Sequence, residues 1–98
     1  MTARMVTYRV KDGRAEDNSA YVRDVMADLA ARATEGVTYS VYLLEDGVTF
    51  LHVVDEDGDG GKVQVSEAFQ RFTATLVEDR CANTPEAHVM TLVGSYAG

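Results

Sequence analysis

The chain has 98 residues, 46% of them hydrophobic and 26% charged, which suits one small domain spanning residues 1–98. Nine basic residues against sixteen acidic ones leave a net charge of −7, so neither a nucleic acid nor an anionic membrane is an expected partner. The single cysteine, Cys81, excludes an intrachain disulfide and a cysteine-based zinc site; without a signal-like or membrane-length apolar run, the expected location is cytoplasmic.

Met5–Val10 (MVTYRV) is rich in β-branched and aromatic residues and predicts a first strand. From Ala15 the apolar positions Tyr21, Val22, Val25, Met26, Leu29 and Ala30 recur at helical spacing, so a helix is expected to Thr34 with Gly36 as its C-terminal glycine. Val37–Leu44 and Val48–Val54 read as two strands around Glu45-Asp46-Gly47, where Asp-Gly predicts a two-residue type I′ hairpin turn. Ser66 is placed to N-cap a second helix that carries Phe69, Phe72, Leu76 and Val77 and runs to Arg80. CANTP breaks that helix, and Ala87–Tyr96 reads as a last strand.

The order β-α-β-β-α-β predicts an α+β, ferredoxin-like fold: a four-stranded antiparallel sheet in the order 4-1-3-2 with both helices on one face. The hairpin register pairs Leu43 with Phe50 and Val41 with His52. One face of strands two and three then carries Val37, Tyr39, Val41, Leu43, Val48, Phe50, His52 and Val54, and is assigned to the helix side. The other carries Tyr42, Leu44, Leu51 and Val53, too apolar to leave in water, so a homodimer through this open face is expected.

A βαββαβ chain with an apolar second sheet face resembles the dimeric α+β barrel superfamily. Within it, the stretches MVTYRVKDGRAEDNSAYVRDV, GVTYSVYLLEDGVTFLHVV, EAFQRF and VGSY are most similar to small antibiotic-biosynthesis-monooxygenase-like proteins. The resemblance implies two sheets facing each other in a dimeric barrel, a small apolar cavity in each subunit, and relatives that include cofactor-independent oxygenases and haem-degrading enzymes. The chain departs from that pattern in having no tryptophan and no histidine in its second helix, so haem binding is not expected, nor is any other cofactor.

His52 is the leading catalytic candidate. It lies on a central strand facing the helices, with Tyr39 as its diagonal cross-strand neighbour. An imidazole beside a phenol in an apolar pocket suits proton abstraction from an acidic hydroxyl or activated carbon. Tyr8, Phe50, Phe69 and Phe72 are the candidate ligand-binding walls for a small aromatic molecule, and the competing reading for each is core packing. A satisfied core histidine is the competing reading for His52. The rival function is a non-catalytic sensor or regulatory module, and a chain ending soon after its last strand points to a free-standing protein.

DEDGDGG at 55–61 imitates the start of an EF-hand, with Asp55, Asp57, Asp59 and Gly60 in step. Lys62 stands where an apolar residue belongs and Ser66 where the bidentate glutamate belongs, so no metal is expected. The stretch reads as a mobile, solvated loop near one end of the cavity. No nucleophile-elbow pattern accompanies the Ser, Asp and His residues, and glycines set among acids do not form a phosphate loop.

Overall fold

A computed structural model describes residues 2–58 and 60–98, with only the backbone of Thr2. Strand β1 (Thr2–Arg9) leads to helix α1 (Ala15–Ala31), strands β2 (Val37–Leu43) and β3 (Thr49–Glu56), helix α2 (Glu67–Thr75) and strand β4 (Glu86–Met90). The sheet order is β2-β3-β1-β4, all neighbours antiparallel, which is the expected ferredoxin-like arrangement. The hairpin register is also as read from the sequence, with Leu43 opposite Phe50 and Val41 opposite His52.

Side-chain alternation puts Tyr8, Val10 and Phe50 on one sheet face, where they pack with Val25 and Leu29 of α1 and with Phe72 and Leu76. Burial of these apolar faces is the main term holding sheet and helices together. Ser66 caps α2 as expected, accepting the Phe69 N–H at 3.2 Å.

Several local expectations are corrected. The β2–β3 turn is not type I′: Gly47 has φ +76°, Asp46 does not have positive φ, and the Gly47 N–H bonds the Leu44 carbonyl. Asp46 instead uses its carboxylate to accept from the Val48 and Thr49 N–H groups, both at 2.9 Å. Helix α1 stops at Ala31, and Ala33, with φ +50°, takes the left-handed place assigned to Gly36. Thr34 N–H to Leu29 carbonyl and Ala33 N–H to Ala30 carbonyl complete a Schellman closure there. Gly36 has a left-handed backbone of its own, φ +72°, beyond the helix end, and that conformation favours glycine there.

Strand β3 runs on to Glu56, and β4 ends at Met90, well short of Tyr96. Val93 and Tyr96 lie almost fully exposed beyond it. The second helical segment reaches Arg80, but its last stretch, Leu76–Arg80, is a π-helical turn. There the Leu76 N–H bonds the Thr73 carbonyl, leaving the Phe72 carbonyl to another donor, the Arg80 side chain.

Candidate functional site

Between the sheet and α2 lies a pocket of about 370 Å³. Val6, Tyr8, Tyr39, His52 and Val54 form its sheet wall; Phe69, Phe72 and Leu76 form the helix wall. Glu56 and Arg4 stand at one end. The lining is mostly apolar, the usual character of a small-molecule site with a few placed polar groups.

Those polar groups form one connected chain. His52 sits with Nε2 2.7 Å from the Tyr8 hydroxyl and Nδ1 2.7 Å from the Tyr39 hydroxyl. Asn18 of α1 donates from Nδ2 to the Tyr8 oxygen at 2.8 Å. Behind it, Arg80 donates from Nε to Asn18 Oδ1 at 2.9 Å. Arg80 also donates to Thr75 Oγ1 at 2.8 Å and to the Phe72 carbonyl at 2.7 Å.

Arg80 is 0% exposed, and among the described residues no carboxylate pairs with it. Neutral acceptors and the Tyr21 ring, 4.0 Å below its guanidinium carbon, support the charge instead. Burial pushes the His52 imidazole down to about 4, so it is neutral at neutral pH. Burial likewise raises both phenols, Tyr8 and Tyr39, above their usual range.

A second buried polar group closes the other end. Glu56 is 1% exposed and accepts from Arg4 at 3.2 Å, from the Gly61 N–H at 2.9 Å and from the Val63 N–H at 3.2 Å. This corrects the reading of DEDGDGG as a solvated loop: Glu56 belongs to β3 and clasps the far side of the loop to the sheet. The Asp59 position of the EF-hand comparison lies outside the described residues.

Of the candidates drawn from the sequence, Tyr8, Tyr39, His52, Phe69 and Phe72 meet around the pocket. Phe50 is set back from it, stacked on Tyr8 with ring centroids 5.7 Å apart. His88 pairs with Met5, whereas His52 pairs with Val6, so the two histidines occupy opposite sheet faces. Cys81 is buried and bridges to Val10, as a structural thiol.

Three residues were missed: Asn18, Glu56 and Arg80. Each had a signal in its spacing. Glu56 continues the even-numbered face of Phe50, His52 and Val54. Asn18 precedes Val22, Val25 and Leu29 on the α1 stripe, and Arg80 follows Phe72 and Leu76 at intervals of four.

The sheet order and the two helices packed on one face define an α+β, ferredoxin-like domain. Among solved structures, the PA3566 protein of Pseudomonas aeruginosa superposes with a TM-score of 0.76 at 21% identity, over 95% of this chain and 94% of that one. An antibiotic biosynthesis monooxygenase superposes at 0.73 with 12% identity, over 96% of this chain and all of the other. The NE2512 protein of unknown function from Nitrosomonas europaea gives 0.71 with 16% identity, over 99% and 93%. These likenesses establish the shared fold. No protein-family model matches the chain, and no curated protein matches it significantly.

Proposed function

We propose that the chain binds one small, flat, largely apolar ring compound in each pocket, and does so as a homodimer joined through the open sheet face. The observation that carries the reading is the apolar pocket of about 370 Å³ with a Tyr–His–Tyr hydrogen-bonded chain in its wall. Phe69 and Phe72, with ring centroids 6.0 Å apart, line the helix side of the same pocket. The dimer reading rests on the other sheet face, where Tyr42 is 55% and Leu44 42% exposed in the single chain. No helix is long and apolar enough to cross a membrane among the described residues.

Calorimetric titration with 1-tetralone, a bicyclic ketone, tests the binding: saturable heat with one site per chain is expected, and its absence ends the reading. Sedimentation tests the assembly, with Leu51→Glu expected to convert dimer to monomer.

A second reading, cofactor-independent monooxygenation, is favoured by the placement of His52 in the pocket wall beside Tyr39. His52 would act as the base toward an activated ring carbon, with Tyr39 as its polar partner, leaving a carbanion that O₂ oxidises. Anthrone is a suitable probe. Its ring CH₂ becomes a carbonyl with one oxygen atom of O₂, and the other leaves as water with the two hydrogens. Oxygen uptake lost in His52→Gln supports the enzyme; binding of 1-tetralone without uptake supports the non-catalytic sensor.

A further inference from the structure

The chain from Arg80 to Tyr39 has a direction that donor and acceptor chemistry fixes. A guanidinium only donates, so the Asn18 atom facing Arg80 is its carbonyl oxygen. The Asn18 amide nitrogen therefore faces Tyr8 and donates to its oxygen, at 2.8 Å. With that oxygen receiving a proton from Asn18, the Tyr8 O–H is free to donate to His52 Nε2, at 2.7 Å. The opposite arrangement would crowd two donors onto the Tyr8 oxygen and strand the Tyr8 proton inside the core, since Tyr8 is 1% exposed and among the described residues has no further acceptor, whereas Tyr39 is only half-buried. In a neutral imidazole an accepting Nε2 requires a protonated Nδ1. Nδ1–H then donates to the Tyr39 oxygen, at 2.7 Å. The Tyr39 proton has no acceptor among the described residues, and Tyr39 lines the pocket.

We propose that Arg80 and Asn18 are positioning residues that lock His52 in the Nδ1–H tautomer, so that Tyr39 is a fixed hydrogen-bond donor to the pocket and selects ring ligands bearing an acceptor oxygen. The ligand class is an aryl ketone, a quinone or a phenolate. This rests on the proposed binding of a ring compound and deepens it. Burial of the charged Arg80 guanidinium among the neutral acceptors of Asn18, Thr75 and the Phe72 carbonyl puts a fixed positive charge behind the chain, which favours an anionic oxygen at its open end. The resting direction also opposes proton transfer from a ligand hydroxyl to Tyr39, because Tyr39 would first have to turn its own proton back to Nδ1.

Asn18→Asp reverses the chain without changing its shape. A carboxylate accepts from Arg80 on one oxygen and from the Tyr8 O–H on the other. Nε2 must then donate to Tyr8, Nδ1 must accept from Tyr39, and the pocket is offered a lone pair. The experiment has two readings, both on the full chain. Nitrogen-15 NMR of histidine-labelled, ligand-free protein reads the tautomer: Nδ1–H at His52 in the wild type and Nε2–H in Asn18→Asp are expected. Titration with 1-tetralone, which only accepts, and 1-naphthol, which can donate, reads the selectivity. The ratio of their affinities is expected to swing by tenfold or more toward 1-naphthol in Asn18→Asp.

A wild-type His52 carrying its proton on Nε2 overturns the proposal, whether or not the variant folds. An unchanged tautomer or affinity ratio in a folded Asn18→Asp protein overturns it as well. Failure of both probes to bind, with the expected tautomers seen, removes the ring-binding reading and the selectivity while leaving the locked histidine.

Discussion

Two buried polar assemblies share one face of the sheet, and they differ in what is left over. At one end of the pocket Glu56 is spoken for: two backbone N–H groups and Arg4 hold it, and it ties Gly61 and Val63 to β3. At the other end the Arg80–Asn18–Tyr8–His52–Tyr39 chain satisfies every internal member and stops at a hydroxyl whose proton meets the pocket. A closed assembly of buried polar groups specifies structure. One with a loose end toward a cavity has something to offer a ligand.

Breaking the open chain at its root should have the largest effect. Arg80→Ala leaves Asn18 Oδ1 and the Phe72 carbonyl without their donor and empties a large buried volume, so stability should fall by about 4 kcal/mol. Urea denaturation measures it, and a loss below about 1 kcal/mol means that the guanidinium is not the anchor of the chain.

Acid should reach the open chain through His52. Its folded value of about 4 lies below the ordinary 6.5, so between these pH values the unfolded chain binds a proton that the folded one does not. Stability from this residue is therefore complete above pH 6.5 and falls as the pH drops toward 4, by about 3 kcal/mol in all. Carboxylates titrate in the same window. The difference between wild type and His52→Gln in urea denaturation from pH 7 to pH 4 isolates the histidine, and a flat difference contradicts its buried, neutral state.

Glu56→Gln should cost less, about 2 kcal/mol, because the amide can still accept on one oxygen while its NH₂ faces a backbone donor. The informative part is what does not change. The His52 tautomer should be as in the wild type, since the clasp and the chain share no hydrogen bond. A shifted tautomer would merge the two assemblies into one network.

The backbone plan was legible because it depends on periodicity. The alternation of Val37, Tyr39 and Val41 against Tyr42 and Leu44, and the helical spacing of Val22, Val25 and Leu29, assign faces without reference to anything distant. His52 and Tyr39 follow from the same register. Asn18, Glu56 and Arg80 were hidden by their chemistry: polar residues default to the surface, and their burial depends on partners up to 62 positions away in the chain. The hairpin turn shows a further limit, since Asp46 can cap Val48 and Thr49 with its side chain and give the same register that a type I′ turn would. The stretch after Met90 was misread because Leu92, Val93 and Tyr96 have strand-like chemistry, yet the described sheet pairing stops at Met90.

The most direct test of a ligand site between sheet and helix is amide NMR of the labelled protein during titration with 1-tetralone. Saturable shifts centred on Tyr39, His52, Phe69 and Phe72, weakened at least tenfold in affinity by Tyr39→Phe, are the predicted result. Shifts confined to Tyr42, Leu44, Leu51 and Val53 on the open face, or no saturable shifts at all, would contradict it.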